Sequence, residues 1–255
     1  MPDLKMKFMP KLTQDIFQRL QSDKRLAPFT LVGGTALALQ LGHRVSEDLD
    51  FNLFGKKLPL GAIDGVLEDW VARGARIESL ITHEQKTLFK INTSENLDHY
   101  LQDYSIDGAK VTFQSRVVGE RPQKQIDYLL SAQKHEVYPE GFKVLGLEGL
   151  FVMKSIVVYD RVKSRDLYDL MTLLKDQNYT LDDIFSAIKT YQPLRNNDPE
   201  HFKRVVTGMI PLDQDDEGFN SIELKVKMPQ IYNYFKKLID AHEIKTVQEL
   251  KSSPD

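Results

Sequence analysis

The chain has 255 residues, 41% of them hydrophobic and 28% charged, with a formal net charge of −3 and a pI near 6.1; this ordinary globular composition suits one large or two modest domains and advertises no general affinity for polyanions or membranes. With no cysteine, disulfides, thiolate catalysis and zinc–thiolate sites are excluded. No apolar run approaches the ~20 residues that span a bilayer, and "MPDLKMKFMPKLTQDIF" lacks the apolar stretch of a signal peptide, so a cytoplasmic protein with no membrane partner is expected.

Leu12, Ile16 and Leu20, four apart in "LTQDIFQRLQ", predict a short amphipathic helix. "APFTLVGG" reads as a buried strand stopped by Gly33 and Gly34. "TALALQL" is a helical turn or two, with Thr35 as the expected N-cap and Gly42 at its end. In "EDLDFNLF" alternation sets Leu49, Phe51 and Leu53 on one strand face and Asp48, Asp50 and Asn52 on the other. Leu60, Ile63, Leu67, Trp70 and Val71 make a helical stripe between Pro59 and Arg73. "KTLFKIN" and "AKVTFQSRV" are strand-like, and Asp107-Gly108 is a type I′ hairpin signal between "YSI" and "AKVTF". "KQIDYLL" reads as a short edge strand. After "VYPEGFKV" the texture turns helical, with helices expected from Leu147 to Val158, Arg165 to Leu174, Leu181 to Tyr191, from about Pro199, and from Gln230 to Ile239. The expected class is α+β, a mixed and mostly antiparallel sheet over residues 1–143 followed by a helical domain over 144–255.

The stretch "LVGGTALALQLGHRVSEDLDFNLF" carries the chemistry. Asp48 and Asp50 project side by side, and two ionised carboxylates that close repel unless a cation lies between them. Magnesium meets that need, since it takes one or two carboxylates plus waters and phosphate oxygens. The amides of Gly34 and Thr35 open the following helix, where N–H groups lack internal partners and the dipole is positive. Glycine lets a phosphate approach without a Cβ in the way. These features together point to a nucleoside triphosphate with Mg2+. The segment is no Walker P-loop, for no Gly-Lys-Ser/Thr follows. An isolated "DLD" more often decorates an exposed strand; the ordered glycine pair, short helix and acidic strand argue otherwise. Arg44 either approaches the triphosphate, orients the acidic strand, or meets the helix carboxyl end or water; His43 is assigned to the last of these.

"GGTALALQLGHRVSEDLDF" resembles the signature of the AbiEii/AbiGii nucleotidyltransferase-like toxins, within the polymerase β-like nucleotidyltransferase superfamily. The superfamily motif is Gly-Gly or Gly-Ser, a short helix, then Asp-x-Asp on the next strand. The match falls on Gly33, Gly34, Thr35 (for the commoner Ser), Asp48 and Asp50, and more specifically on Gly42, His43, Arg44 and Ser46 leading into the acids. The resemblance implies a polymerase β-like domain, metal ligation by Asp48 and Asp50, and nucleotide contacts from Gly33, Gly34, Thr35, Arg44 and Ser46.

A second constellation lies in "GLEGLFVMKSIVVYDRVKSRDLYDL". Lys154 falls in the apolar stripe of Leu147, Leu150, Phe151 and Val158, so it must find a carboxylate or phosphate, or snorkel out. Asp166 and Asp169 share a helix face, with Ser164 as the expected N-cap. By physics alone the three residues form either a structural ion-pair network or part of a site. The resemblance maps a family lysine onto Lys154 and an Arg-Asp-x-x-Asp motif onto Arg165, Asp166 and Asp169. It implies phosphate contact and catalysis for Lys154, a catalytic role for Asp166, and support from Arg165 and Asp169.

Polymerase β-like enzymes usually add a third carboxylate that helps hold two metals. The polar face of "AKVTFQSRV" offers Lys110, Thr112 and Gln114, none of them acidic, and Asp127 is the alternative. The resemblance implies Mg2+-dependent transfer of a nucleoside monophosphate from an NTP to an RNA acceptor, tRNA foremost. It further implies a toxin of a toxin–antitoxin or phage abortive-infection pair, with a separate antitoxin protein. The competing functions are a nucleotide-binding protein without transfer and a small-molecule, antibiotic-type nucleotidyltransferase. Lys163, Arg165, Lys203 and Arg204 are candidates for a local basic surface toward RNA, or else solvated helix faces.

Overall fold

Apolar residues at alternate positions 49, 51 and 53 require a strand buried on that face. In the computed structural model this strand is the middle one of a seven-stranded sheet. Residues 4–115, 123–192, 199–219, 224 and 226–252 are described, and the chain divides into two units, Met1–Leu150 and Phe151–Asp255.

The first unit begins with α1 (Lys11–Leu20), β1 (Thr30–Val32), α2 (Gly33–Leu41) and β2 (Leu49–Leu53). It continues with α3 (Leu60–Ala72), β3 (Ile77–Ser79), α4 (His83–Thr93), β4 (Leu101–Ile106) and β5 (Ala109–Ser115). Then come α5 (Gln123–Ser131), β6 (Lys134–Glu136) and β7 (Lys143–Leu145). The strands lie in the order β3-β4-β5-β2-β1-β7-β6. The β2–β5 and β1–β7 pairs are parallel and the other neighbours antiparallel, so the sheet is mixed and mostly antiparallel as expected.

Its core is aromatic. Phe51 stacks on Phe113 with centroids 5.4 Å apart and meets Phe142 edge-on at 4.8 Å, while Phe17 and Phe29 extend the cluster. Helix α1 buries Thr13, Ile16, Phe17 and Leu20, whereas Leu12, expected on that face, is exposed because Phe17 completes the stripe instead. The Asp107-Gly108 turn has φ of 53° and 101°, the two positive values a type I′ hairpin demands, and sets Ile106 opposite Ala109.

Three local expectations are corrected. "KTLFKIN" lies in helix α4, started by a reciprocal capping box between Thr82 and Gln85; no α4 residue is buried, so its apolar pattern reported no core face. "KQIDYLL" lies in helix α5, where Ile126 and Leu129 are buried three apart, the helical spacing. Thr35 is not an N-cap: Gly33, at φ +74°, turns the chain from β1 directly into α2, and the helix starts two residues earlier. The domain boundary also shifts, because Val144 sits in β7, paired with β1, and keeps the first unit intact to Leu150.

Helix α6 (Leu147–Asp160) leads into the second unit, which holds α7 (Ser164–Asp176), α8 (Leu181–Tyr191), α9 (Pro199–Val206) and α10 (Met228–Ser252). Helix α10 packs on α7, α8 and α9 and buries Ile231, Phe235 and Ile239 at four-residue spacing. It runs on to Ser252 beyond that stripe, which is why the sequence pattern ends earlier. Ser164 is the first residue of α7 rather than its N-cap; Asp216 accepts from both its amide and its hydroxyl at 2.9 Å. Among the described residues, no helix is long and apolar enough to cross a membrane.

Phe51→Ala should cost about 3–5 kcal/mol of stability by leaving a cavity in the aromatic core. Urea unfolding followed by fluorescence measures it; a midpoint equal to wild type would contradict this placement of the core.

Candidate active site

The close approach of α2 to β2 builds the site. At Gly33 the positive φ already favours glycine, and a Cβ there would stand 2.7 Å from Asp50 Oδ2. A Cβ on Gly34 would collide with Arg44 Nη2 and stand 3.2 Å from Ser46 Oγ. Arg44 is buried against the first turn of α2 and donates Nη1 to the Val45 carbonyl at 3.0 Å.

The connection from α2 to β2 is pinned residue by residue. Gly42 ends α2 at φ +66° and donates its amide to Ala38 O, the left-handed cap that the sequence suggests. The Ser46 amide donates to Phe8 O at 2.9 Å, and Thr13 Oγ1 donates to Glu47 O at 3.0 Å. Thr35 Oγ1 bonds to both the Asp48 carbonyl and Ser46 Oγ. A carbonyl can only accept, so Thr35 donates to Asp48 and the Ser46 hydroxyl donates to Thr35. Gly33, Gly34, Thr35, Arg44, Ser46, Asp48 and Asp50, scattered over eighteen positions of sequence, thus form one cluster.

Asp48 and Asp50 are half-buried. Two partly exposed carboxylates, one faced by a glycine in place of a side chain, fit a magnesium ion that completes its shell with water and phosphate oxygens. Among the described residues no group of three or more His, Asp or Glu gathers for a metal; the remaining ligands would come from substrate and solvent.

Register defines the surroundings of the acids. Asp50 pairs with Thr112 on β5, and Thr112 pairs with Asp103 on β4, so all three share one sheet face with Lys110. Thr112 Oγ1 donates to Asp103 Oδ1 at 2.9 Å, and Lys110 Nζ lies 3.2 Å from Asp103 Oδ2. Burial pulls the Lys110 pKa down, but Asp103, and then Asp48 and Asp50, outweigh it and hold it above the usual lysine value. Asp127, the sequence alternative for a third acid, lies on α5 and accepts from Gln123 Nε2 at 2.8 Å. Asp103 was missed by sequence reasoning. The two-residue hairpin signal was sufficient to find it, since that turn dictates the Asp103–Thr112 pairing.

In the second unit Lys154 binds Asp166 Oδ1 at 2.5 Å and Asp169 Oδ2 at 2.7 Å, with all three side chains at most 8% exposed. Arg161 Nε adds a contact of 2.8 Å to Asp166 Oδ2. Burial raises the Asp166 pKa, but the charges and hydrogen bonds of Lys154 and Arg161 prevail and hold it below the ordinary carboxylate value. The structure therefore joins Lys154, Asp166 and Asp169 as the ion-pair network that was one of the two sequence readings. Arg165 instead donates Nε to Gly218 O and pairs with Glu217 at 2.9 Å. Two more members of the candidate basic surface also meet acids: Lys163 pairs with Asp215, and Lys203 lies 2.7 Å from both Glu200 and Glu243, while Arg204 is exposed.

The sequence profile of the family described as nucleotidyl transferase AbiEii toxin, type IV toxin–antitoxin system, matches residues 15–244. The chain belongs to this family of nucleotidyltransferase toxins. The match takes in the glycine–acid cluster of the first unit and the Lys154 network of the second. An uncharacterized protein of Aquifex aeolicus (strain VF5), aq_aa25, is 25% identical over 198 residues, covering 76% of this chain and 79% of that protein. Among solved structures, an H. pylori protein proposed to be a nucleotidyltransferase aligns with TM-score 0.48 and 18% identity, covering 94% of this chain and 98% of the other. MenT4, a nucleotidyltransferase toxin from Mycobacterium tuberculosis H37Rv, aligns with TM-score 0.43 and 15% identity over 90% and 86% of the two chains.

Lys154→Met should destabilise the protein by about 3–5 kcal/mol, because it strands two buried carboxylates. The lowered Asp166 pKa contributes stability that is full above the ordinary carboxylate value near ~4 and is lost as pH falls through its lowered value. Without Lys154 that lowering shrinks, so acid unfolding followed by circular dichroism should move to higher pH. Near-normal unfolding with lost activity would instead place Lys154 on a nucleotide phosphate.

Proposed function

We propose that this family member transfers a nucleoside monophosphate from an NTP to a hydroxyl of an RNA, tRNA being the acceptor class. It acts in the cytoplasm as a toxin held in check by a separate antitoxin protein. One observation carries the reading: around a single turn, Gly33 faces a carboxylate of the acid pair while Gly34 faces a buried guanidinium. The first amides of α2 and the Arg44 guanidinium stand side by side there, and both are donors suited to the oxygens of a triphosphate.

Asp48 and Asp50 would hold Mg2+, which neutralises phosphate charge and lowers the pKa of the attacking hydroxyl. Gly34 and Thr35 amides and Arg44 orient the phosphate chain, and Ser46 and Thr35 keep the acidic strand in register with them. The hydroxyl oxygen bonds to the α-phosphorus as the bond from that phosphorus to the oxygen bridging to the β-phosphate breaks, and the hydroxyl proton passes to solvent water. Pyrophosphate leaves, so the work of the chain is positioning and electrostatics. Lys154 and Asp166 have the catalytic roles implied by the resemblance only where their ion pair opens to phosphate.

A second reading, nucleotide binding without transfer, is favoured by the absence of an acid on the polar face of β5 next to Asp50. Incubation of the protein with each of four α-labelled NTPs and total RNA separates the two. Labelled RNA is expected; label on a small molecule favours the antibiotic-type enzyme, and binding without labelling favours the second reading. Asp48→Asn and Asp50→Asn should each lower labelling by roughly a hundredfold or more with a near-normal melting temperature. Wild-type labelling by either variant would remove the acid pair from the mechanism.

A further inference from the structure

The β5 strand beside the acid pair carries a cation where a carboxylate is usual for such chemistry. In the parallel β2–β5 ladder Leu49 pairs with Val111 and Asp50 with Thr112. The side chains next along on the same face are therefore Asp48 on one strand and Lys110 on the other. Lys110 is close enough for both acids to act on its charge. Asp103, the third acid on this face, is a strand further away, and its two oxygens are engaged by Thr112 and Lys110.

We propose that Lys110 contacts the triphosphate and supplies the second positive charge of the active site, so that the acid pair works with one metal ion rather than two. Charge balance favours this arrangement. A third carboxylate and a second divalent ion together add one positive charge, and a lysine adds the same. The Lys110 side chain is 46% exposed and therefore open to a phosphate, whereas Asp103, at 18%, is well placed to hold it until nucleotide arrives. A pair that exposed is weak, and exchanging it for a triphosphate costs little. Thr112 orients Asp103 by donating to it, which makes Asp103 a positioning residue for Lys110.

The inference rests on the acid pair being a nucleotide–metal site, and the test separates the two. Mn2+ is titrated into the protein with α,β-methylene analogues of the four NTPs, and bound metal is counted by electron paramagnetic resonance. One Mn2+ per protein–nucleotide complex is expected. Lys110→Met and Lys110→Gln should weaken analogue binding about tenfold through loss of one charge-assisted contact. Lys110→Arg should retain binding, and the melting temperature should hold in all three variants. Two Mn2+ per wild-type complex, or wild-type affinity in both neutral variants, overturns the role of Lys110 and leaves the acid pair standing. Weaker binding accompanied by a collapsed melting temperature in both neutral variants also overturns it, in favour of a structural lysine. If the wild type binds no analogue with Mn2+, the reading of the acid pair fails, and this inference with it.

Discussion

Gly33 lies so near the Asp50 carboxylate that no side chain fits between them, and the positions of the surrounding groups follow from that approach. The strand-to-helix turn is left-handed at this residue, so β1 passes into α2 without a linker and α2 faces the acidic strand. Three further hydrogen bonds, from Thr35, Thr13 and the Ser46 amide, then hold the chain between α2 and β2. A backbone without a Cβ and a chain tied at successive residues give preorganised geometry, in which binding a ligand need not order loose groups. Phe51, between Asp50 and Asn52, anchors the same strand in the aromatic core. Asp50 and the apolar residues that stabilise the sheet alternate along β2 because strand geometry alternates.

Electrostatics differ between the two units. In the first, the acids beside the α2 turn remain partly exposed, while Arg44 at that turn is buried. Asp48 and Asp50 are half-buried, and the Lys110–Asp103 pair is open to solvent on its lysine side. In the second, charges are matched at short range. Lys154 meets two buried carboxylates, Arg161 completes that cluster, and Lys163, Arg165 and Lys203 each meet an acid. The acidic run from Asp213 to Glu217 takes part in this matching: Asp216 caps α7 and Asp213 accepts from the Val162 amide. Exposed pairs of this kind contribute little energy singly, but they occupy the cations that an unstructured chain would present to RNA.

The architecture and the grouping of the glycines with the acids were legible in the sequence because each rests on local rules. Alternation marked β2, the Asp107-Gly108 pair marked the β4–β5 hairpin, and glycines at 33 and 42 marked turns whose conformations L side chains avoid. The seven residues gathered around α2 were all visible in one continuous stretch, since a strand, a short helix and a strand bring such residues together without distant chain. Local rules failed at α4 and α5. There, short mixed apolar and polar runs fit either period, and the capping box or the buried spacing, rather than hydrophobicity, decides.

The sequence by itself determined the α+β order, the family, and the pairing of glycines with acids, because those depend on neighbours a few positions away. Tertiary structure alone decided what each charge meets. Lys154 was compatible with phosphate or carboxylate until the packing of α6 and α7 set Asp166 and Asp169 against it. Lys110 was one polar strand residue among several until parallel pairing of β2 with β5, elements nearly sixty positions apart, put it beside Asp48 and Asp50. A charge acts over the distances that folding creates, and those distances are absent from the order of residues along the chain.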